Sequence, residues 1–572
     1  MRVWAPNAVR VRLQLADRVA EMTAAGDGWW TSDERLPDGT RYAFLLDDDP
    51  TPLPDPASRS QPEGVHEASE VYVRDFPWTD GDWTGRPLPG GIVYELHVGT
   101  FTAAATFDGA VERLDHLVEL GVTHVELLPV NAVNGRQNWG YDGVAWYAVH
   151  APYGGPDGLK RFVDAAHARG LAVVLDVVYN HLGPSGNYLP RFGPYLKTGR
   201  NTWGELVNLD GPGSPAVRRF ILDNALMWLD EFHVDGLRLD AVHALQDETR
   251  PHLLAELSRD VDALATHLGR PLTLIAESDL NDPVMITPRE AGGHGLDAQW
   301  DDDVHHALHA LLTGERDGYY ADFGTLPVLA KVLTSAFLHD GTYSSFRGRE
   351  HGRPVDRRTT AGHRFVVCLQ DHDQVGNRAA GERIDALTTT ARHRLGALLM
   401  FTSPFTPMIW MGEEWAAGTP WPFFTSHPEP ELGRQVAVGR VEEFARHGWD
   451  PATVPDPQNP STYEAAVLDW SEPDRSGHHD MLETYRDLIA LRRREPELAD
   501  PRLDLIEVDV DQAADTVVVH RGSLRVIVNF GSEPLDVPFP VREVLWATTG
   551  PSEPLDTGAV RIAAGEGAVV RV

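Results

Sequence analysis

The sequence predicts an α/β protein whose main part is a (β/α)8 barrel of the TIM type, with all-β modules before and after it. From residue 91 onward, short apolar runs alternate with segments whose apolar residues have helical spacing. One run, residues 171–178, is apolar almost throughout, as expected for a parallel strand buried on both faces. Eight such strand–helix repeats are the number that closes a barrel. The predicted domains are an N-terminal β-module at 1–88, the barrel at 89–498 and a C-terminal β-sandwich at 499–572.

The bulk composition favours a globular protein of several domains, located in the cytoplasm. A chain of 572 residues is too long for one compact core. Its single cysteine, Cys368, excludes an intramolecular disulfide framework, and no apolar run has membrane-spanning length. The formal charge of -35 argues against nucleic acid or an anionic membrane as a partner, since both require a basic surface. A neutral substrate is compatible with this charge.

The N-terminal 88 residues have the pattern of a small all-β module. Short apolar runs are separated by turn signals such as the Gly-Asp-Gly sequence at 26–28. The motif Val-Trp-Ala-Pro-Asn-Ala at 3–8 resembles the opening of the immunoglobulin-like modules that precede glycogen-active enzymes. In those modules a strand usually comes before the motif, so this module is either shortened or its chain starts late.

The predicted barrel strands are short, and the connections between them are long. The strands are predicted at 92–98, 122–129, 171–178, from 236, 272–277, 296–300, 365–369 and 407–411. The helices are predicted at 107–120, 158–169, 215–232, 251–268 and 482–494. The connections 180–213, 318–363 and 418–469 are longer than a barrel repeat requires. Because loops after barrel strands build the active site, these connections are expected to shape the substrate groove.

Polar side chains cluster where the predicted barrel strands end, which is where barrel enzymes place their catalytic groups. The residues at the ends of strands three, four, five and seven are Asp176, Asn180 and His181; Arg238, Asp240 and His243; Glu277; and Asp371, His372 and Asp373. The carboxylates of Asp240, Glu277 and Asp373, from three separate strand ends, are not expected for packing alone, because burying an unpaired carboxylate is unfavourable.

This set of residues fits glycoside hydrolysis with retention, in which one carboxylate attacks the anomeric carbon and a second transfers the proton. Arg238 and Asp240 lie two apart on a strand, so the guanidinium is expected to keep Asp240 ionised as the nucleophile. Glu277 follows the apolar sequence Leu-Ile-Ala, which is expected to raise its pKa by desolvation for the acid/base role. Asp373 is expected to stabilise the charge that develops on the sugar ring.

Four segments at these strand ends resemble the ordered signature regions of the α-amylase superfamily, glycoside hydrolase family 13. They are Asp176-Val177-Val178-Tyr179-Asn180-His181, Gly236-Leu237-Arg238-Leu239-Asp240, Ala276-Glu277-Ser278 and Asp371-His372-Asp373. The resemblance implies that Asp240 is the nucleophile, Glu277 the acid/base and Asp373 the stabiliser of the transition state. The supporting, substrate-binding residues that it implies are Asp176, His181, Arg238 and His372. Asp371 stands where the family often has Asn, so the resemblance leaves its role open.

Three further stretches resemble the members of this superfamily that release trehalose. They are Asn-Trp-Gly-Tyr-Asp-Gly-Val at 138–144, the stretch 298–308 with its Asp-Asp-Asp-Val-His-His core, and Asp-His-Asp-Gln-Val-Gly-Asn-Arg at 371–378. The resemblance implies that the substrate is a malto-oligosyltrehalose, cleaved at the α-1,4 bond next to the trehalose. It also implies that the protein acts after a malto-oligosyltrehalose synthase. With His243, the further residues expected to bind substrate are Tyr141, Asp142, Gln374 and Arg378.

The sequence leaves two other functions open. A 1,4-α-glucan branching enzyme uses the same three carboxylates, and the stretches 94–101 and 126–130 occur in that group as well. A non-catalytic glucan-binding barrel is the second alternative, although such proteins lose the carboxylates that are present here. No cofactor and no metal are expected, since phosphate-loop and dinucleotide motifs are missing and the pair His305 and His309 lacks the Glu of a zinc motif. The run 301–303, three aspartates, is expected to belong to a solvated surface.

Overall fold

The computed structural model of the chain contains a closed barrel of eight parallel strands, which confirms the predicted fold class. The structure describes residues 1–73, 75–446, 453–549 and 560–572. The barrel strands in chain order are Val93–Leu96, His124–Leu127, Ala172–Val177, Gly236–Leu239, Thr273–Ala276, Ala298–Trp300, Phe365–Cys368 and Thr406–Trp410. Each strand pairs with the next in sequence, and the eighth closes onto the first where Ile409 faces Tyr94. All eight predicted strands are therefore confirmed.

Helices and short hairpins form the connections around the barrel. The longer α-helices are Gly155–His167, Ser214–Glu231, Leu253–Leu268, Asp302–Thr313, Leu326–Ser335, Thr390–Thr402, Pro430–Arg446 and Ser476–Arg494. The shorter ones are Val98–Phe101, Phe107–Val111, Leu114–Leu120, Leu189–Phe192, His372–Gly376, Ile384–Leu387, Pro460–Ala465 and Pro496–Ala499. The two-stranded hairpins pair Asn131–Ala132 with Ala145–Val149, Leu196–Arg200 with Glu205–Val207, and Thr342–Ser344 with Arg349–His351.

Two details of the helix prediction are wrong. The single helix predicted at 107–120 is two helices, because the amide of Arg113 donates to Ala110 in a tight turn between them. The fifth repeat has no α-helix, since only the 3-10 turns Pro283–Met285 and Arg289–Ala291 lie between strands five and six. Prolines and glycines occur along this segment, and both residue types disfavour a continuous helix.

Antiparallel sheets precede and follow the barrel. The N-terminal part has a sheet of Arg2–Trp4, Trp29–Thr31 and Thr23–Gly26, and another of Val19–Glu21, Val11–Leu15, Arg41–Leu46 and Ser69–Glu70. The C-terminal part has a sheet of Glu507–Asp511, Thr516–Arg521, Leu524–Asn529, Gly567–Arg571 and Glu543–Ala547, and a pair of Leu535–Asp536 with Arg561–Ile562. Residues 447–452 of the predicted connection 418–469, and 550–559 of the predicted C-terminal module, lie outside the described residues.

The aspartate run at 301–303 is not a solvated surface, and that expectation is wrong. Asp301 and Asp303 are 3% and 4% exposed. The side chain of Asp301 accepts from the amide of Asp303 and caps the helix Asp302–Thr313. Asp303 accepts from the amides of Leu338 and His339. The run begins a buried helix, and the unpaired amides of a helix N-terminus favour carboxylates.

The histidines of the same helix are part of its buried packing. His305 contacts the carbonyl of Leu369 through Nδ1 at 2.8 Å, and His309 Nε2 lies 2.7 Å from a carboxylate oxygen of Glu315. Within the described ranges, no group of three or more histidine, cysteine or acidic side chains is arranged to hold a metal ion. In the same ranges, no helix is both long enough and apolar enough to cross a bilayer.

The connection after strand three is anchored on the N-terminal sheets. Trp4 packs edge-on against Tyr195 with ring centroids 5.2 Å apart, and Phe44 packs against Phe192 at 6.2 Å. These contacts fix the excursion predicted at 180–213 above the carboxyl ends of the barrel strands. The N-terminal module thus helps to position one wall of the groove described below.

Candidate active site

Arg238 lies at the centre of a cluster of carboxylates at the carboxyl ends of the barrel strands. Its Nη1 donates to Asp176 Oδ2 at 2.8 Å and to Asp240 Oδ1 at 2.9 Å, and its Nη2 lies 3.0 Å from Glu277 Oε2. The side chain is fully buried, and the face of the Trp300 ring covers the guanidinium at 4.2 Å. One cation therefore bridges carboxylates from three neighbouring strands.

Asp240 follows strand four and keeps a partly exposed side chain. Burial raises its pKa to about 6, against the opposing effect of Arg238. Arg238 thus lowers the pKa as expected from the sequence, but desolvation outweighs it. Asn180 Nδ2 donates to Asp240 Oδ2 at 2.6 Å. At neutral pH the carboxylate is mostly ionised and is held in place from two sides.

Glu277 follows strand five and is held by the backbone next to Asp240. Its Oε2 accepts from the amide of Ala241 at 2.6 Å. Ala241 has a φ of 41°, in the left-handed region that non-glycine residues rarely adopt. Burial raises the pKa of Glu277, and the neighbouring Asp240 charge adds to this effect, as the sequence predicts for a proton donor. The two carboxyl groups therefore lie close together, and burial raises the pKa of both.

Asp373 and His372 complete the cluster from the segment after strand seven. His372 Nε2 lies 3.6 Å from Asp373 Oδ2 and 2.8 Å from Tyr141 Oη. Asp373 Oδ1 accepts from Asn377 Nδ2 at 3.1 Å. Asp371, whose role the sequence left open, accepts from the amide of Gln374 and so caps the short helix His372–Gly376.

An open cavity of about 780 Å³ lies over these groups. The residues in its wall that the sequence had predicted are Tyr141, Asp142, His181, Asp240, Glu277, His372 and Asp373. Asp176 and Arg238 are buried beneath this floor, where they hold the carboxylates from below. The structure thus brings nine of the twelve predicted site residues together.

The other three predicted residues lie beside the cavity rather than in its wall. Arg378 makes two contacts of 2.9 Å with the carboxylate of Glu315. Tyr319 Oη donates to Gln374 Oε1 at 3.5 Å, and the His243 ring packs edge-on at 6.0 Å from Trp203. A role for Arg378, Gln374 and His243 in substrate binding stays a prediction.

The structure adds residues that the sequence reasoning missed. Trp203, 48% exposed, stacks near His181 with ring centroids 5.9 Å apart and forms part of the cavity wall. The sequence could have indicated Trp203, because a tryptophan within a polar, glycine-containing loop is a candidate for contact with a ligand. Arg440 comes from the connection after strand eight and donates to Asn377 Oδ1 at 3.0 Å. No sequence pattern links Arg440 to the site, because that contact depends on how the long connection folds back.

A larger cavity of about 990 Å³ lies between the N-terminal sheets and the helix Ser214–Glu231. Two of its aromatic rings are covered by cations, since Arg2 lies 3.7 Å over Trp29 and Arg59 lies 5.0 Å over Tyr147. These rings are therefore not available as platforms for sugar rings. The cavity at the barrel mouth combines the exposed Trp203 ring with the converging carboxylates of Asp240, Glu277 and Asp373.

Comparison with known proteins places the chain among glucan-active enzymes. A family model described as the alpha amylase catalytic domain matches residues 70–193, and a domain of unknown function, DUF3459, matches residues 501–570. The crystal structure of a Salmonella typhimurium protein assigned as an alpha amylase superposes with a TM-score of 0.91 at 35% identity. That match covers 100% of this chain and 97% of the other.

Among curated proteins, malto-oligosyltrehalose trehalohydrolases are similar to this protein over most of the chain. The malto-oligosyltrehalose trehalohydrolase of Arthrobacter ramosus is 58% identical over 543 residues, which cover 94% of this chain and 93% of the relative. A 1,4-alpha-glucan branching enzyme of Mycobacterium bovis is 31% identical over 342 residues, only 52% of this chain. This chain therefore belongs to the malto-oligosyltrehalose trehalohydrolase family of the α-amylase superfamily.

Proposed function

We propose that this protein is a retaining glycoside hydrolase that cleaves the α-1,4-glucosidic bond next to the terminal trehalose of malto-oligosyltrehalose. The products are trehalose and a maltodextrin. The observation that carries this proposal is the bridging of Asp176, Asp240 and Glu277 by Arg238 at the mouth of the barrel. Retaining glycosidases need two carboxyl groups close together, one as nucleophile and one as proton donor.

The geometry supports the following sequence of steps. Asp240 attacks the anomeric carbon of the glucose that precedes the trehalose, while Glu277 donates its proton to the departing oxygen of the trehalose. The resulting glycosyl ester on Asp240 is then hydrolysed by a water molecule that Glu277, now a carboxylate, deprotonates. Asp373 stabilises the positive charge that develops on the sugar ring. The maltodextrin is released with the α configuration retained.

The same proposal fixes the place of the protein in a reaction sequence. Its substrate carries an α,α-1,1 linkage at the end of an α-1,4-glucan, so an enzyme that rearranges the reducing-end linkage of a maltodextrin must supply it. We expect this supplier to be a malto-oligosyltrehalose synthase.

Product analysis tests the proposed activity against the branching alternative. Incubation with maltotriosyl-trehalose is expected to give trehalose and maltotriose, whereas maltopentaose under the same conditions is cleaved much more slowly. Proton NMR of the newly released maltotriose should show the α-anomer before mutarotation. New α-1,6 linkages would instead support a branching enzyme, and a β-anomer would contradict retention.

The pH dependence follows from the carboxyl groups of Asp240 and Glu277. The reaction needs Asp240 ionised and Glu277 protonated, and the pKa of Asp240 is raised to about 6. We therefore expect kcat/KM for maltotriosyl-trehalose to fall as the pH drops below about 6, since this parameter reports the free enzyme. The alkaline limb should reflect the raised pKa of Glu277. An acid limb near the ordinary aspartate value of about 3.9 would contradict the assignment of Asp240.

A further inference from the structure

The carboxylate of Glu95 holds His372 at the floor of the cavity through two contacts. Glu95 belongs to the first barrel strand, and His372 begins the segment after the seventh. Glu95 Oε1 lies 2.5 Å from His372 Nδ1, and Glu95 Oε2 accepts from the His372 backbone amide at 3.1 Å. Both side chains are 1% exposed. One buried acid, Glu95, therefore fixes both the position and the orientation of the His372 ring.

The partners of His372 require both ring nitrogens to carry a proton. Tyr141 Oη donates its hydrogen to Asp176 Oδ2 at 2.6 Å. The Tyr141 oxygen can then only accept from His372 Nε2, which lies 2.8 Å away. Nδ1 donates to the Glu95 carboxylate on the opposite side of the ring. In agreement, Asp373 and Glu95 raise the pKa of His372 to about 10, although burial opposes this.

A second buried acid, Glu126, lies beside Glu95 in the barrel but lacks its hydrogen-bond donors. The two residues face each other in register on strands one and two, and both are 1% exposed. Glu95 has N–H donors on both oxygens, whereas Glu126 Oε2 has no hydrogen-bond partner in the part of the chain that is described. Burial and the adjacent Glu95 charge raise the pKa of Glu126. Of the two acids, Glu126 is the one whose protonated form burial favours.

We infer that Glu95 is a positioning residue for the glycosidase reaction: it keeps His372 cationic and oriented, so that the ring supports Tyr141 and Asp373 at the floor of the cavity. This inference rests on the proposed function, but the state of His372 can be measured without substrate. A hydrogen-bonded chain then runs from Glu95 through His372, Tyr141 and Asp176 to Arg238. Loss of the Glu95 charge would act on the nucleophile through this chain.

The pH behaviour of His372 depends on groups from several elements. The titratable groups that face it are Glu95 and His97 of the first strand segment, Glu126 of the second, Tyr141, Asp176 of the third, and Asp371 and Asp373 of its own segment. Of these, Glu95 alone contacts Nδ1 directly within the described residues. Its substitution is therefore the specific way to change the charge of the ring.

The test compares Glu95→Gln with Glu126→Gln, the same change at the facing position. For Glu95→Gln, kcat on maltotriosyl-trehalose should fall about 10- to 100-fold, the effect of losing one charged hydrogen bond, while KM changes little. The alkaline limb of the kcat profile, which Glu277 sets in the wild type, should move to lower pH in this variant, because His372 then loses its proton before Glu277 does. The profile of Glu126→Gln should overlap that of the wild type, since burial favours the neutral form of Glu126 and an amide is also neutral. Glu95→Asp keeps the charge, so it should lower kcat but retain the position of the alkaline limb.

Nitrogen-15 NMR of the histidine-labelled enzyme without substrate measures the protonation state of the His372 ring directly. The signal of His372 is assigned as the one that is missing in His372→Gln. At pH 8 the wild-type ring is expected to be an imidazolium and the Glu95→Gln ring neutral. If Glu95→Gln does not fold, Glu95→Asp and wild type are compared in the same way. A neutral His372 in the wild type would overturn the inference even if trehalose is released. Equal pH profiles for Glu95→Gln and wild type, or equal losses at Glu95 and Glu126, would also overturn it.

Discussion

Asp240→Asn is expected to lower kcat on maltotriosyl-trehalose by about 10⁴-fold or more, the scale seen when a nucleophile is removed. An amide oxygen is a poor nucleophile and cannot form the glycosyl ester, whereas the size of the side chain is unchanged. Arg238 keeps its contacts with Asp176 and Glu277, so the fold is expected to persist. Trehalose release measures the activity, and a circular dichroism melt checks the fold.

Asp297→Asn is a matched control for this variant. Like Asp240, Asp297 has a pKa that desolvation raises to about 6, but Asp297 precedes strand six and so lies at the opposite end of the barrel. Its Oδ2 accepts from the amide of Leu274 at 2.8 Å, a contact that the oxygen of an asparagine can retain. Activity of Asp297→Asn should match the wild type. Comparable losses at Asp240 and Asp297 would mean that the effect at Asp240 is structural.

Glu277→Gln is expected to have an effect that depends on the leaving group. On maltotriosyl-trehalose, kcat should fall about 10²- to 10⁴-fold, because the sugar oxygen leaves without a proton from the enzyme. With α-maltosyl fluoride the first step needs no such proton, so fluoride should still be released in an initial burst. The second step is slow without the base, and mass spectrometry should then find a maltosyl group on Asp240.

The Glu277→Gln experiment separates the two carboxyl roles. Equal losses on both substrates would contradict the acid/base assignment. A maltosyl group found on a residue other than Asp240 would contradict the assignment of the nucleophile. The double variant with Asp240→Asn serves as the control, because it should show no burst of fluoride.

Much of the site could be predicted because its parts are local. Arg238 and Asp240 are two residues apart on one strand, and Glu277 directly follows an apolar strand, so their approximate placement follows from periodicity. The aspartates at 301–303 show where this reasoning fails. The same acidic run is typical of a solvated surface and of a buried helix start, and only the packing of Leu338 and His339 against it distinguishes the two.

By itself, the sequence determined the eight barrel strands, the set of acidic residues at their ends and the resemblance to the α-amylase superfamily. These features depend on hydrophobic periodicity and on short motifs, which are properties of neighbouring residues. The tertiary structure alone decided that burial raises the pKa of Asp240 despite Arg238, that Arg378 pairs with Glu315 beside the cavity, and that Glu95 holds His372. Desolvation and long-range hydrogen bonds depend on which residues, far apart in the sequence, the closed barrel brings into contact.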